Sequence, residues 1–174
     1  EEPGTLEARI KAAGKDAAKI KNLKVSGKIF RDDFYFMRDQ MTILSAINLK
    51  ECEIVGDNRK WYWYGTIDGV YQYVYFTTDM PASWEEAKRL VEERFPNSEI
   101  SHSSLNTNSN YGVGANEIPD YAFDGKSSLT YFVFPEYVIK IGSSAFYGTL
   151  LSGALIIPDD VVEIEEYAFC STNI

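Results

Sequence analysis

Residues able to do chemistry are few in this sequence, which has one histidine and two cysteines among 174 residues. His102 stands among serines, and a nucleophile would need a base held within its reach. No motif for an oxyanion hole or a general acid accompanies it, so we expect a solvated histidine in a polar loop. A structural zinc ion wants four ligands, which His102, Cys52 and Cys170 cannot supply. The sequence therefore predicts no catalytic residue, no metal site and no cofactor.

The two cysteines do not by themselves define a disulfide framework. Cys52 lies early in the chain and Cys170 near its end. We expect the two thiols on different parts of the fold, beyond the Cα separation of about 7 Å that a disulfide tolerates. Cys170 directly follows Phe169, and its side chain is expected to be buried or half-buried.

Adjacent acidic residues are the second group of side chains that could form a catalytic site. Neighbouring residues do not share a face of a helix or a strand, so none of these pairs is expected to be a catalytic dyad. The pairs are Asp32-Asp33, Glu85-Glu86, Glu92-Glu93, Asp159-Asp160 and Glu165-Glu166. A glycoside hydrolase that assembles two carboxylates from distant segments is the least favoured alternative. No phosphate, dinucleotide or calcium loop is present, and the protein is expected not to be an enzyme.

Length and charge narrow the class of protein. A chain of this size fits one compact domain, or one domain with a small insert. The net charge is −9, from 17 basic and 26 acidic residues, which disfavours nucleic acid and anionic membranes as partners. No apolar run approaches the roughly 20 residues that a membrane helix needs. The chain begins at Glu1 without a hydrophobic leader, as expected of a mature form.

A repeat dominates the last third of the chain. Ala-Phe pairs recur every 23 residues, and the stretches between them keep the same spacing. The pairs are Ala122-Phe123, Ala145-Phe146 and Ala168-Phe169. The matching positions between them are Phe132, Phe134, Pro135 and Val138 in one repeat and Leu155, Ile157, Pro158 and Val161 in the next. Unlike residue types held at one spacing indicate stacked structural repeats.

Each repeat is interpreted as a short strand followed by a tight turn. Alternating apolar residues place one face of the strand inside, and proline then ends the strand. The small alanine lets the turn approach its neighbours, and the three phenylalanine rings of the pairs are expected to stack in the interior. Successive strands should pair about 4.8 Å apart in a parallel sheet. The position of Pro119, Gly142 and Glu165 should not need a left-handed glycine, because proline is confined to negative φ.

Residues 1–57 are predicted to form a cap with two divergent repeats. A spacing of 24 joins Ile20, Leu23 and Val25 to Leu44, Ile47 and Leu49. Between them, Asp32-Asp33 can cap a helix that carries Phe34, Met37 and Met41 at helical spacing. Earlier, Thr5 can cap a short helix that directs Leu6, Ile10 and Ala13 inward and ends near Gly14.

Residues 58–110 differ in character and are predicted to form an inserted module. Two aromatic runs, 61–64 and 70–76, favour strands of a hairpin joined by residues 65–69. Ser83-Trp84-Glu85-Glu86 is a capping box that begins an apolar helical stripe ended by Pro96. The polar stretch 101–110 is expected to be a loop.

Aromatic residues of this insert are the first candidates for ligand binding. Large aromatic side chains usually bury, which favours a hairpin covered on both faces. The alternative is an exposed patch that offers flat, amphipathic contact area to a glycan or a protein. The candidates are Trp61, Trp63, Tyr71, Tyr73 and Tyr75, together with Tyr131, Val133 and Ile156 on the sheet of the repeats.

The repeat resembles the BspA-like leucine-rich repeat family. The resemblance rests on Ile-Pro/Gly-x-x-Ala-Phe, a strand, and Pro-x-x-Val-x-x-Ile within residues 118–174. The segment from Leu23 to Leu49 also resembles the cap that commonly precedes such repeats. The resemblance implies a bacterial protein, secreted or anchored at the cell surface, whose repeats serve adhesion or protein binding. Two positions depart from the pattern, since Lys126 replaces a small residue or cysteine and Ser152 replaces a leucine.

Together these features predict an α/β fold, a right-handed leucine-rich-repeat solenoid with a parallel sheet of short strands. It would carry the helical cap at 1–57, the hairpin–helix insert at 58–110 and the repeats at 111–174. The expected role is non-catalytic recognition of a host or bacterial surface protein or a glycan, with a structural spacer as the alternative. Neither nucleic acid nor membrane insertion is expected. Ile174 falls one position before the next repeat leucine, so either further repeats or a dimer contact is expected at that end.

Overall fold

The computed structural model of the chain describes residues 6–56, 61–67, 70–76, 83–99, 105–106 and 114–174. For residues 61–65, 67, 70–76, 99 and 105–106 it describes the main chain only. By its contacts the chain divides into two compact units, 1–57 with 113–174 and 58–112. The first unit is an α/β repeat fold in which both small sheets are parallel.

The first unit begins with helix α1, Leu6–Ala12, followed by a 3-10 turn at Ala17–Lys19. Leu6 and Ile10 are buried, as predicted. The turn that follows the helix contains Gly14, where φ is 65°, and the Lys15 N–H donates to the Ile10 carbonyl at 3.0 Å. Left-handed glycine of this kind is a common helix terminator. Ala13 was predicted to face inward but is exposed, because it lies past the last helical residue.

Strand β1 (Asn22–Ile29), helix α2 (Arg31–Asp39) and strand β2 (Ala46–Ile54) form the two divergent repeats. β1 and β2 are parallel, and Leu23 pairs with Ile47 at the predicted spacing of 24. An irregularity after Lys24 then shifts the register by one residue, which the sequence match did not predict. Strands of eight and nine residues are also longer than those expected of the repeats.

Of the predicted Asp32-Asp33 pair, Asp33 caps helix α2. Its two carboxylate oxygens accept from the Phe30 N–H at 3.2 Å and from the Leu6 N–H at 3.0 Å. The carboxylate therefore satisfies amides at the start of two helices. Phe34 and Met37 are buried on α2, whereas Met41 is buried beyond its end.

Strand β8 (Tyr131–Val133) pairs with the edge of β2 opposite to β1, so that one parallel sheet has the order β1-β2-β8. The equivalent segment of the next repeat, residues 155–157, was predicted to be a strand and is not one. Ser152 stands where the leucine was expected, and Leu151 is buried in its place. Gly153 follows with a φ of 81°.

A second parallel sheet was not predicted. Its strands β7 (Glu117–Ile118), β9 (Lys140–Ile141) and β10 (Glu163–Ile164) recur every 23 residues and lie in the order β7-β9-β10. The isoleucines Ile118, Ile141 and Ile164 hold the 23-residue spacing of the repeat. A strand of two residues, however, is too short to show an alternating pattern in the sequence.

The predicted stack of phenylalanine rings is confirmed. The ring centroids of Phe123 and Phe146 lie 5.5 Å apart, and those of Phe146 and Phe169 lie 5.3 Å apart with an interplanar angle of 5°. Phe34 of α2 extends the stack with an edge-on contact to Phe123 at 5.9 Å. The paired alanines, Ala122, Ala145 and Ala168, are all buried.

Two left-handed positions recur in every repeat. Tyr121, Ser144 and Tyr167 have φ between 53° and 60°, and Gly125, Gly148 and Ser171 have φ between 59° and 68°. Gly142 is not among the residues with positive φ, as predicted for its position. A Cβ on Gly142 would lie 2.6 Å from the Asp120 nitrogen, so this glycine serves close approach between repeats.

The second unit is built on strand β3 (Trp61–Ile67), which pairs antiparallel with β4 (Val70–Phe76). Helix α3, Trp84–Arg94, begins at Ser83, whose hydroxyl accepts from the Glu86 N–H at 3.2 Å. Ala87 and Val91 of its apolar stripe are buried. The predicted strands and capped helix are therefore present.

Two short strands of this unit were missed. β5 (Ser98–Glu99) and β6 (Leu105–Asn106) both pair antiparallel with β3. Leu105 and Asn106 had been predicted to lie in a loop, and the rest of that segment is outside the described residues. The hairpin connection is also shorter than predicted, because β3 runs through residues 65–67.

Candidate recognition face

The outward side of the sheet β1-β2-β8 presents two rows of residues. Pairing sets Asn22, Ala46 and Tyr131 in one row and Lys24, Asn48 and Val133 in the other. The row between them, Leu23, Ile47 and Phe132, faces the core, as alternation along a strand requires. Tyr131 is 58% exposed and borders a cavity of about 320 Å³, which is also lined by Asn22, Lys24, Ala46 and Asn48 of the two rows and by Leu23 and Ile47 between them. We call this surface, with its two rows, the Tyr131 face.

The charged groups on and beside the Tyr131 face are paired. The Lys24 ammonium lies 2.5 Å from Glu51, and that of Lys50 lies 3.7 Å from Glu136. The side-chain oxygen of Asn48 accepts from the Lys50 N–H at 3.0 Å, which leaves its amide nitrogen as a donor. The face thus combines an aromatic ring with amide groups, a set suited to binding rather than to bond-breaking.

A second cavity, of about 580 Å³, lies along the C-terminal half of β1 and β2 and includes Cys52 among its lining residues. Burial, followed by the charges of Asp33 and Glu51, raises the pKa of the Cys52 thiol to about 11. The thiol is therefore protonated at neutral pH and is a poor nucleophile. Within the described ranges, no three His, Cys, Asp or Glu side chains converge as metal ligands would.

Asp120, Lys140 and Glu165 form a group of ionisable side chains between adjacent repeats. One carboxylate oxygen of Asp120 and one of Glu165 lie 3.0 Å from the Ser143 nitrogen, and Lys140 lies 2.6 Å from Glu165. Burial and the neighbouring Glu165 raise the pKa of Asp120. The hydrogen bond from Lys140 lowers the pKa of Glu165. These carboxyl groups are engaged by the main chain and by Lys140, so they join adjacent repeats.

Lys126 is buried, although it was predicted only as a departure that weakens its repeat. Its ammonium donates to the Arg38 carbonyl at 3.0 Å and to the Met41 carbonyl at 2.8 Å. Burial lowers the pKa of Lys126. The lysine therefore binds the C-terminal end of α2, where free carbonyl groups favour a cation.

Of the predicted binding residues, Tyr131 lies on the Tyr131 face, where Val133 is half-buried. Ile156 is 84% exposed but belongs to no strand, so it does not extend the sheet. Trp61 and Trp63 lie on β3, and Tyr71, Tyr73 and Tyr75 lie on β4. The main-chain pairing sets neither tryptophan opposite any of these tyrosines. Their side chains are outside the described residues, as is His102.

Cys170 was predicted to be buried or half-buried, and it is exposed. It belongs to the last repeat described, where a following turn does not cover it. Both cysteines are free thiols. Among the described helices, none has both the length and the apolar run that a membrane span requires.

The 23-residue spacing, the parallel strands and the stacked rings define a leucine-rich repeat protein. Residues 88–174 match the family model described as the BspA type leucine rich repeat region (6 copies). The match covers half of the chain, which therefore belongs to the BspA-type leucine-rich repeat family. A search of curated proteins found no match.

Proposed function

We propose that this chain is a non-catalytic recognition module that binds a protein or a glycan through the Tyr131 face. The observation that carries the proposal is the exposure of Tyr131 beside a cavity on a sheet otherwise packed on its inner side. Aromatic rings with one polar end supply much contact area at low entropic cost, which suits them to binding surfaces.

Membership of the BspA-type family supports a proposal about where the chain acts and what it binds. We propose that the chain belongs to a bacterial protein that is secreted or held at the cell surface, and that its partner is a surface protein or glycan of the host or of bacteria. The net charge of −9 argues against nucleic acid and anionic lipid as partners. The repeats would continue as a right-handed solenoid, for which the 23-residue ladder and ring stack are the supporting features.

The aromatic residues of the second unit are a further proposed binding surface. Trp61, Trp63, Tyr71, Tyr73 and Tyr75 lie on two paired strands. A variant at Tyr73, tested beside one at Tyr131, would distinguish the two surfaces.

A structural spacer is the second candidate function. The observation that favours it is the contact between the three neighbouring Ala-Phe repeats through stacked rings and main-chain hydrogen bonds. Such a unit would hold another domain at a fixed distance without binding a ligand of its own.

Arrays of glycans and surface proteins, probed with the native chain and three variants, test these proposals. Tyr131→Ala and Tyr73→Ala remove the two candidate rings. Tyr147→Ala is the matched control, because Tyr147 is 41% exposed and lies on a turn rather than on the Tyr131 face.

The proposal predicts a reproducible ligand that Tyr131→Ala loses by tenfold or more in affinity, about 1.4 kcal/mol, and that Tyr147→Ala retains. A ligand lost only by Tyr73→Ala would move the site to the second unit. Absence of any reproducible ligand would contradict recognition and favour the spacer. Turnover of a polysaccharide, abolished by one acidic substitution, would instead support the hydrolase alternative.

A further inference from the structure

The second half of strand β2 has an edge that is closed at both ends and open between them. Strand β8 pairs only with the first three residues of β2. Further along the same edge, the Lys50 carbonyl accepts from the Glu136 N–H at 3.2 Å, and the Ile54 carbonyl accepts from the Asn116 N–H at 2.9 Å. Cys52 lies midway between these two bonds. We call residues 50–54 of β2 the Cys52 edge.

The main-chain groups of Cys52 point toward this edge. On the other side of β2, the Val55 N–H donates to the Ile29 carbonyl of β1 at 2.8 Å. Main-chain groups of successive residues in a strand point to opposite sides, so Cys52 faces away from β1, as Lys50 and Ile54 do. In the part of the chain that the structure describes, no main-chain group pairs with Cys52 across this edge. A donor and an acceptor left unpaired on a buried residue are costly, which favours an added partner.

The cavity of about 580 Å³ opens onto the Cys52 edge, since Cys52, Glu136 and Asn116 all line it. Lys50 and Ile54, whose carbonyls are already bonded, are four positions apart, which is about 13 Å along a strand. An extended segment of about three residues therefore fits between the two closed ends. In an antiparallel arrangement, a single residue of that segment exchanges both hydrogen bonds with Cys52.

We propose that the Cys52 edge binds a short extended segment of a partner protein that carries lysine or arginine. Main-chain bonds of such an added segment supply affinity, and its alternate side chains supply specificity. The site is distinct from the Tyr131 face, because Tyr131 does not line this cavity.

The charges around the cavity favour a basic segment. Glu51 and Glu53 flank Cys52, are exposed, and both line the cavity. Glu51 is paired with Lys24, whereas Glu53 has no ion-pair partner among the residues described. The segment residue opposite Cys52 points to the same face as Cys52, so its two neighbours point to the face of the glutamates. A basic side chain at either neighbouring position would therefore meet Glu53.

The probe is a capped tripeptide, acetyl-Lys-Val-Lys-amide, added to the whole chain labelled for NMR. The first control peptide replaces both lysines with glutamate, which reverses the charge and keeps the main chain. The second carries an N-methyl group on valine, which removes the N–H that would donate to the Cys52 carbonyl and keeps both charges. The readouts are the chemical shift and the hydrogen exchange of the Cys52 amide.

The proposal predicts that the probe shifts the Cys52 amide resonance and, at saturation, slows its exchange by about tenfold or more. Each control peptide should bind at least about fivefold more weakly. The proposal is overturned if millimolar probe leaves this amide unchanged, or if the N-methylated peptide binds equally well. It is also overturned if the Cys52 amide is already strongly protected in the chain alone, or if a neutral oligosaccharide binds this edge more tightly than the probe.

Two variants of the chain complete the test. Glu53→Lys should weaken binding of the probe by about fivefold or more, because it sets like charges against each other. Glu7→Lys makes the same change in net charge at an exposed position of α1 and should leave binding unchanged. Equal effects of the two variants would show that only overall charge attracts the peptide and would contradict a site at the Cys52 edge.

Discussion

The ammonium nitrogen of Lys126 lies 2.8 Å from the main-chain oxygen of Met41. In the next two repeats the same position is held by Thr149 and Thr172, whose hydroxyls donate within their own turns, to the carbonyls of Phe146 and Phe169. Only the longer lysine side chain reaches out of its turn to the cap. Lys126 therefore joins the first repeat to the end of α2, which the threonines could not do.

Replacing Lys126 should loosen this junction. Lys126→Met keeps most of the buried aliphatic chain but leaves the carbonyls of Arg38 and Met41 without the charged donor. We expect a loss of about 2 kcal/mol in the free energy of unfolding, measured with urea. Lys11→Met, at an exposed position of α1, is the control and should change stability by less than about 0.5 kcal/mol. Equal effects of the two substitutions would contradict the capping role.

The sequence predicted the repeats because their core residues recur at one spacing. The ring stack was predicted from phenylalanines that recur at this spacing and is confirmed. The burial of the paired alanines fits the close approach that was expected of them. The role of Lys126 could not be predicted, because its partners lie 85 and 88 residues earlier in the chain. From the sequence alone, a lysine at this position only interrupts the repeat pattern. Its role becomes visible when the structure shows which carbonyl groups it binds.

The two cysteines should react at very different rates with a thiol reagent. Cys170 is exposed, whereas Cys52 is buried with a pKa raised to about 11. At pH 8 only about a thousandth of Cys52 would be thiolate, and this fraction rises as the pH approaches 11. Native protein should therefore show one fast thiol, and unfolded protein two.

Cys170→Ser supplies the control for this measurement, because it leaves Cys52 as the only thiol. The variant should react slowly when folded and rapidly in denaturant. Two fast thiols in the folded native chain would show that Cys52 is accessible and would contradict its burial.

Asp120 should make stability depend on pH. Its pKa is raised in the folded chain, so the folded state binds more protons than the unfolded state above about pH 4. The contribution of Asp120 to stability therefore falls as the pH rises through that pKa. Asp120→Asn keeps an acceptor for the Ser143 N–H and removes the repulsion from Glu165.

We expect Asp120→Asn to match the unfolding midpoint of the native chain near pH 4 and to exceed it at pH 7. The contribution of Glu165, whose pKa is lowered, acts in the opposite direction: it is present above the ordinary pKa of a glutamate and is lost as the pH falls from there through the lowered pKa. Asp120→Ala removes the acceptor as well and serves as the comparison. A variant Asp120→Asn that is less stable than the native chain at pH 7 would contradict this account.

The candidate face was only partly predictable. Tyr131 was assigned to the sheet correctly, since it stands beside the alternating Phe132 and Phe134. Ile156 was assigned to the same sheet by its spacing, but the leucine at 152 is missing and Leu151 fills the core from one residue earlier. A one-residue shift of this kind changes which backbone groups can pair, and a spacing rule does not detect it. Cys170 was predicted to be buried or half-buried and is exposed, because its place next to Phe169 in the sequence does not decide which side chains lie over it.

The most direct test of the repeat stack is the cost of removing its central ring. Phe146 is fully buried and contacts Phe123 on one side and Phe169 on the other. Phe146→Ala should lower the free energy of unfolding by about 3–5 kcal/mol in urea denaturation. Tyr147→Ala, one residue away and exposed, should lower it by less than about 0.5 kcal/mol. If both substitutions had the same small effect, the rings would not form the core of these repeats.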